Sequence, residues 1–117
     1  MSLALQRGSV VTVRFGPAEG SEIRKTRTAV VVSNDAACRH DAVVQVVPAT
    51  RMPRRPLRPY ESRAGSEGAG LKRPSRLAAN QVRTISKQRI GSVLGRVSSE
   101  EQNKLDEALR IQLDLDR

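Results

Sequence analysis

The stretch TAVVVS, Thr28 to Ser33, runs out of a highly charged segment into four consecutive apolar residues. A short continuous apolar run bounded by polar residues is typical of a strand that is buried on both faces. Asn34 and Asp35 follow at once, and both are residues that favour turns over strands. We therefore predict a buried strand over Thr28–Ser33 that ends at Asn34.

Two further valine-rich segments lie on either side of this stretch. SVVTVRF, Ser9 to Phe15, is rich in β-branched residues and follows a turn-forming Arg-Gly pair. AVVQVVP, Ala42 to Pro48, has the same composition and ends at proline. We predict a strand in each, with Ala36 to Asp41 as a short connection.

The second half of the chain is more irregular. TRMPRRPLRPYESR, Thr50 to Arg63, contains three prolines and five arginines, so it is either an edge strand with pinned ends or a mobile loop. We favour a loop that leads into an edge strand around Leu57 to Ser62. Ala64 to Gly70 is glycine-rich and predicts a turn, and short strands are expected at Leu77 to Ala79 and Gln81 to Ile85.

The C-terminal segment predicts an amphipathic helix. Ser98 and Glu101 have the spacing of a capping box, in which each side chain bonds the other residue's backbone amide. Residues at helical spacing then form an apolar face, namely Leu105, Ala108, Leu109, Ile111 and Leu113. With five or six strands and this helix, we expect one mainly β domain over residues 1–117, built as a small twisted sheet that closes on itself.

The charge of the chain is strongly positive and unevenly distributed. The net charge is +9, with 18 Lys and Arg against 6 Asp and Glu in residues 1–97, and 3 against 6 in residues 98–117. A basic body favours a polyanionic partner, because phosphates gain Coulomb attraction and release counterions. Phe15 and Tyr60 are the only aromatic residues, so we expect cations and backbone, rather than stacking, to hold nucleic acid.

Several classes of function lack the residues they need. Cys38 is the only cysteine and His40 the only histidine, so neither a thiolate zinc site nor a two-imidazole catalytic pair can form. The sequence contains no phosphate-binding GxxxxGK[ST] loop, no GxSxG elbow and no apolar run of about 20 residues. We expect a cytoplasmic protein with no membrane span, no metal and no cofactor.

The residues that remain suit one phosphate reaction. RNA carries its own nucleophile, so a protein need only orient the 2′-hydroxyl, help remove its proton, stabilise phosphoryl charge and protonate the leaving oxygen. Arg27 and Thr50, at the ends of predicted strands, can contact a phosphate, and Glu22 can act as a base. On these residues alone, a basic rim that only binds RNA is the favoured interpretation.

Motifs along nearly the whole chain resemble the toxin endoribonucleases of the MazF/PemK type. The matching segments are RGSVVTVRFGPAEGSEIRKTRTAVVVSND, then VVQVVPAT, then ANQVRTISKQRIGSVLGRVSSEEQNKLDEALRIQL, in the family's order. Only residues 51–76 lack a match. GSE followed by KTR, the PAT ending and QVRT before the final helix are the most diagnostic together.

The resemblance implies a fold, a reaction and site residues. The fold is a small SH3-like barrel of the CcdB/Kid/MazF type that forms a homodimer. The activity is cleavage of single-stranded RNA at short motifs without a metal, which leaves a 2′,3′-cyclic phosphate and a 5′-hydroxyl. The essential arginine and threonine match Arg27 and Thr50, Glu22 matches the assisting carboxylate, and Gln81 and Arg83 lie in the element near the RNA groove.

We expect further RNA contacts from the polar and cationic residues Arg24, Lys25, Asn34, Arg54 and Arg55. A toxin of this family also implies a cognate antitoxin, which we expect to bind the basic body through an acidic, amphipathic segment that is disordered when free.

Two alternatives stay open. A gyrase poison of the same fold would act through a C-terminal Trp-Gly-Ile, whereas this chain ends LDLDR and has no tryptophan. A noncatalytic nucleic-acid-binding barrel would tolerate Thr50→Ala, whereas a nuclease would not.

Overall fold

The computed structural model describes residues 4–15 and 26–116. Its helices and strands, in chain order, are β1 Ser9–Arg14, β2 Thr26–Val31, α1 Asp35–His40, β3 Val43–Arg51, β4 Glu61–Ala64, β5 Ser75–Ala78, β6 Arg83–Ser86, β7 Ile90–Arg96 and α2 Ser99–Leu113. Three 3-10 turns occupy Glu67–Ala69, Ala79–Gln81 and Lys87–Arg89.

All seven strands belong to one antiparallel sheet with the order β4-β5-β3-β2-β1-β7. The nine-residue strand β3 pairs with β2 along one edge. Its other edge is shared, because β6 pairs with its first half and β5 with its last residues. The sheet therefore divides along β3, and the turn Ala79–Gln81 carries the chain from β5 to β6.

The fold class predicted from the sequence, mainly β with a C-terminal helix, is confirmed. The expected closure of the sheet into a barrel is wrong for the described residues: β4 and β7 are its two ends and do not pair. Instead, the turn Glu67–Ala69 packs its backbone against Gly95 of β7. A 3-10 turn cannot offer the regular row of amides and carbonyls that a strand ladder requires, so the sheet stays open here.

The apolar run in strand β2 is buried on both sides of the sheet, as predicted. Val30 lies in a core cluster with Leu77 and with Leu105 and Leu109 of α2. Its neighbours Ala29 and Val31 face the other way, into a second cluster formed with strands β1, β3 and β6. Residues 29–31 are all fully buried, which explains why the run has no polar alternation.

The C-terminal helix begins as predicted. Ser98 Oγ accepts a hydrogen bond from the amide of Glu101 at 3.1 Å, and the Glu101 carboxylate accepts one from the amide of Ser98 at 2.9 Å. The same carboxylate also accepts bonds from the amides of Gly65 and Ser66. It therefore fastens the turn after β4 to the start of α2. At the other end of the helix, the expected apolar residues Ile111 and Leu113 are exposed.

Several local predictions differ from the structure. Strand β2 begins and ends two residues earlier than the predicted Thr28–Ser33, and β7 was not predicted. The connection predicted at Ala36–Asp41 is largely the short helix α1, capped by Asn34, whose Oδ1 accepts from the amide of Ala37 at 2.9 Å. The predicted edge strand is present as β4, but four residues later than expected at its start. The predicted strands near residues 77–85 are separated by the turn Ala79–Gln81 and shifted by one to two residues. None of the described helices has the length and apolarity needed to cross a bilayer.

Candidate active site

A cleft of about 490 Å³ opens where the sheet divides along β3. Its lining residues are Phe15, Arg27, Pro48, Thr50, Gln81 and Arg83. Four of these were predicted as catalytic or RNA-binding residues from the sequence. They are contributed by β2, β3, the turn Ala79–Gln81 and β6, so residues more than 50 positions apart converge in one cleft.

The register of the sheet brings Arg27 and Thr50 together. Thr28 of β2 lies opposite Ala49 of β3, so continuing the antiparallel register by one residue sets Arg27 beside Thr50. Directly opposed residues project from the same face of a sheet about 5 Å apart. Arg27 is exposed and Thr50 is half-buried. A permanent cation and a hydroxyl thus share one wall of the cleft.

The opposite wall is formed where the chain passes from β5 to β6. Gln81 ends the turn Ala79–Gln81, and Arg83 begins β6 opposite Val46. The guanidinium carbon of Arg83 lies 4.8 Å from the centre of the Phe15 ring, within the range of a cation–π interaction. Contact with the ring restrains Arg83 at the edge of the cleft.

Phe15 is a site residue that the sequence analysis did not predict. Its position directly after β1, together with the scarcity of aromatic residues in the chain, is the signal that could have indicated it. The ring packs against the core cluster on this side of the sheet. Because it also lines the cleft, it offers an apolar surface on which a nucleobase could rest.

Thr50 is held by a second arginine that the sequence analysis also missed. Arg76 Nε donates to Thr50 Oγ1 at 3.1 Å, and its terminal Nη1 donates to Glu61 Oε2 at 3.1 Å. Thr50 and Arg76 are cross-strand partners on β3 and β5. The register between β3 and β5 indicates this contact. It could not be predicted, because the sequence does not define the ends of β5 closely enough to fix that register.

Glu61 is the centre of this network. Its side chain is only 2% exposed, and it is bridged by both terminal nitrogens of Arg55 at 2.8 and 2.9 Å. The hydrogen bonds from Arg55, with further bonds from Arg58 and Arg76, lower the pKa of Glu61 to about 2 in spite of its burial. In return, the Glu61 carboxylate raises the pKa of Arg55 above its usual value.

Arg54 and Arg55, both predicted to contact RNA, have different surroundings in the structure. Arg54 is exposed. Arg55 is bound to the buried Glu61 through both of its terminal nitrogens, so its guanidinium neutralises a carboxylate of this chain. The structure gives Arg55 a part in the network behind Thr50, which the sequence analysis did not foresee.

Asn34 lies apart from the cleft. Its side chain caps α1 and borders a separate surface groove next to Arg7 and Ser98. The structure therefore does not bring Asn34 to Arg27 and Thr50. The predicted site residues Glu22, Arg24 and Lys25 lie outside the described residues.

The remaining candidate groups lie elsewhere. His40 is exposed at the end of α1, and Cys38 is buried on the same helix, where burial raises the pKa of its thiol. Within residues 4–15 and 26–116, no three His, Cys, Asp or Glu side chains form a group that could hold a metal ion.

Comparison with known proteins identifies relatives over nearly the full chain. A family model described as a PemK-like, MazF-like toxin of type II toxin–antitoxin systems matches residues 6–113. Endoribonuclease MazF9 of Mycobacterium tuberculosis is 37% identical over 95% of this chain and 98% of its own length. Endoribonuclease EndoA of Bacillus subtilis is 30% identical, over 97% of both chains.

A solved structure shows the same architecture. An endoribonuclease of a mycobacterial species, solved in complex with its cognate antitoxin, matches with a TM-score of 0.79 at 29% identity. The match covers 97% of this chain and 99% of that one. Family model, sequence relatives and fold agree, and the chain belongs to the PemK-like, MazF-like toxins of type II toxin–antitoxin systems.

Proposed function

We propose that this protein is an endoribonuclease toxin that cleaves single-stranded RNA at short sequence motifs by attack of the 2′-hydroxyl on the adjacent phosphorus. The observation that carries the proposal is the cleft in which Arg27 and Thr50 share one wall and Gln81 and Arg83 the other. The two endoribonuclease relatives and the family membership support the same activity.

In this reaction the 2′-oxygen gives up its proton to a base and forms a bond to phosphorus. The bond from phosphorus to the 5′-oxygen breaks, and that oxygen takes up a proton from solvent. The products are a 2′,3′-cyclic phosphate and a 5′-hydroxyl. Arg27 stabilises the negative charge that develops on the nonbridging oxygens and on the departing 5′-oxygen. A guanidinium suits this role because it is permanently charged, and the same property makes it a poor base. The Thr50 hydroxyl donates a hydrogen bond to a phosphoryl oxygen, and such donors are among the larger contributions to catalysis.

RNA binding and proton transfer need further groups. Gln81 and Arg83 contact the RNA on the opposite wall, and the exposed Arg54 adds a phosphate contact. Glu22 is our candidate for assisting removal of the 2′-proton, as the family resemblance implies. No step is assigned to a metal ion, because RNA supplies the nucleophile and the arginines supply the charge.

We also propose that the toxin is a cytoplasmic homodimer neutralised by its own antitoxin. The mycobacterial endoribonuclease that resembles this chain was solved with a cognate antitoxin. The basic body favours an acidic segment that competes with RNA. Val93 and Leu94 on the terminal strand β7 are exposed, whereas the valines of β1 and β2 are buried in the two core clusters. The exposed pair therefore offers apolar surface for contact with a second copy of the chain.

The test is incubation of the purified protein with a long unstructured RNA in EDTA, with the fragment ends sequenced and chemically typed. We expect cuts at one short motif with cyclic-phosphate ends, lost in Arg27→Ala and kept in Arg39→Ala. Arg39 is an exposed arginine on α1 and controls for the loss of one charge. Intact RNA from folded protein would favour the gyrase poison or the noncatalytic barrel.

A further inference from the structure

The hydroxyl of Thr50 is contacted from outside the cleft lining by a charged donor. Arg76 Nε lies 3.1 Å from Thr50 Oγ1. The Arg76 side chain is only 25% exposed, which restricts its freedom to leave this position. A hydrogen bond from an ionised donor is about twice as strong as one between neutral groups.

Arg76 is itself fixed by the Glu61 carboxylate. Oε2 of Glu61 accepts from Arg76 and from one nitrogen of Arg55, and Oε1 accepts from the other nitrogen of Arg55 and from the amide of Arg58 at 2.7 Å. Four donors thus hold one nearly inaccessible carboxylate. The guanidinium of Arg76 has one nitrogen on this anchor and another on Thr50.

The strand register extends this arrangement across the sheet. Arg76 lies opposite Thr50 on one side and opposite Arg63 on the other. The β2–β3 register, continued by one residue, sets Arg27 beside Thr50, so Thr50 has an arginine at the adjacent position of each neighbouring strand. Only Arg76 is bonded to the hydroxyl oxygen among the described contacts.

The direction of the hydrogen bonds has a chemical consequence. A threonine hydroxyl carries one hydrogen and two lone pairs, whereas a guanidinium has no acceptor at all. Thr50 therefore accepts from Arg76 and cannot donate back to it. Its hydrogen is left for an acceptor other than Arg76, and Thr50 lines the cleft whereas Arg76 is not among the lining residues. A bond from a cation also polarises the O–H group and strengthens it as a donor.

We propose that Arg76, anchored by Glu61, is a positioning residue that fixes the Thr50 hydroxyl so that it donates into the cleft, toward the phosphate of bound RNA. This inference rests on the proposed function for its phosphate, and it extends the site from the cleft lining to the β4–β5 hairpin. Arg76 acts through Thr50 and contacts no reacting atom.

The first test compares Arg76→Met with Arg63→Met in single-turnover cleavage of an RNA that contains the preferred motif. Arg63 is an exposed arginine directly opposite Arg76 on β4, so the two changes remove the same charge from adjacent positions. We expect the Arg76 variant to lose about 10- to 100-fold in the rate of the chemical step, with RNA affinity within about threefold of wild type. The Arg63 variant should keep its rate within about threefold.

A double-mutant cycle separates positioning from general stabilisation. In a Thr50→Val background there is no hydroxyl to orient, so Arg76→Met should cause no further loss of rate. An equal loss in both backgrounds would mean that Arg76 only supports the fold, and would overturn the proposal. Arg76→Lys should recover part of the rate, because one ammonium cannot reproduce both fixed bonds of the guanidinium.

A second measurement does not depend on cleavage. NMR couplings across the Cα–Cβ bond of Thr50 report whether its side chain occupies one rotamer. We expect one rotamer in wild type and Arg63→Met, and averaging in Arg76→Met. A single Thr50 rotamer without Arg76 would overturn the proposal even if the protein cut RNA, whereas inactive wild-type protein with the expected couplings would refute only the proposed nuclease. If Arg76→Met failed to fold, Arg76→Gln carries the same comparison.

Discussion

At the scale of single residues, the site depends on the relative positions of the Thr50 hydroxyl and the Arg27 guanidinium. Arg27 and Thr50 come from strands that the sequence places next to each other in the chain order, and the β2–β3 register brings them side by side. The other contact of Thr50 comes from β5, where Arg76 is bonded to it. The Thr50 hydroxyl is therefore held by a residue from a strand that is distant in sequence.

Removing this hydroxyl should slow cleavage without unfolding the protein. Thr50→Val keeps the shape of the side chain, so we expect a loss of about 100- to 1000-fold in the rate of the chemical step, the usual effect of losing one transition-state donor. The measurement is single-turnover cleavage with a thermal melt of each variant. Thr84→Val is the control, because Thr84 is an exposed strand hydroxyl outside the cleft. A loss of only a few-fold at Thr50 would show that another donor stabilises the phosphate.

The sequence indicated some of these residues and not others, for physical reasons. Arg27, Thr50, Gln81 and Arg83 lie in recognisable motifs, and the cleft contains all four. Arg76 and Phe15 were missed because their importance comes from contacts across the sheet and not from any local pattern. Arg55 was predicted only as a phosphate contact, because its partner Glu61 gives no sign in the sequence that it is buried.

At the scale of elements, α2 and the turn after β4 are joined by the carboxylate of Glu101. Burial tends to raise the pKa of this group, but the hydrogen bonds from Ser66, Ser98 and Gly65 outweigh it and lower the pKa to about 2. The folded pKa thus lies below the ordinary value of 4.5. The stabilisation is complete above pH 4.5 and is lost as the pH falls toward 2.

Glu101→Gln should therefore destabilise the protein at neutral pH and make its acid unfolding less steep. The glutamine side chain carries no charge, and its NH₂ group faces groups that are themselves hydrogen-bond donors. We therefore expect the free energy of unfolding to fall by about 1–3 kcal/mol at pH 7. Glu61 has a pKa of about 2 as well, so part of the acid dependence should remain. Melts from pH 2 to 7 provide the measurement.

Glu100→Gln is the matched control for Glu101, because Glu100 is in the same first turn but its side chain is 82% exposed. Its stability should stay within about 0.5 kcal/mol of wild type. An identical pH dependence in the Glu101 variant and the wild type would contradict the role of Glu101 in joining the turn to the helix.

A second element-scale prediction concerns the turn that meets β7. Gly70 has φ +73°, and an added Cβ would collide with the backbone of Leu94. Gly70→Ala should cost about 1–3 kcal/mol, since the left-handed backbone and the fixed neighbour both oppose a side chain. At Gly68 the nearest atom to an added Cβ is 3.8 Å away, so Gly68→Ala should be nearly neutral. Urea unfolding of both variants measures the difference, and equal stabilities would contradict this close approach.

Elements with strong local patterns could be predicted, and those without could not. The buried valine strands and the capped helix α2 appear as expected. Helix α1 has six residues, too few for a periodic pattern, and the Asn34 that caps it was interpreted as a strand end and as an RNA contact. Strand β7 was not predicted because most of it is exposed and it contains two glycines. The open sheet follows from the turn Glu67–Ala69, whose contact with β7 has no local signal in the sequence.

At the scale of the whole molecule, the positive charge should govern how tightly RNA is held. Residues 1–97 carry a net +12 and residues 98–117 a net −3. When the basic body binds RNA, it displaces counterions from the phosphates. This release becomes less favourable as the salt concentration rises, so the affinity for RNA falls. Individual arginines differ in what they add, because Arg54 is exposed whereas Arg55 is bound to Glu61.

Arg54→Ala should lower the slope of log Kd against log salt by about 0.7, the value for one phosphate contact on a single strand. Arg55→Ala should instead lower the melting temperature, because Glu61 loses its principal partner. Binding is measured at several KCl concentrations in a Thr50→Val background so that the RNA stays intact. Arg39→Ala should leave the slope unchanged, and an unchanged slope in the Arg54 variant would remove that residue from the RNA path.

In the reaction we propose, the cleft of Arg27 and Thr50 uses the RNA's own 2′-hydroxyl as the nucleophile. The most direct measurement compares an RNA oligonucleotide that contains the preferred motif with the same oligonucleotide carrying a single 2′-deoxynucleotide 5′ to the scissile phosphate, both in EDTA. We predict that the unmodified RNA is cut to a cyclic phosphate and that the substituted RNA binds with similar affinity and stays intact. Cleavage of the substituted RNA at the same bond would refute attack by the 2′-hydroxyl.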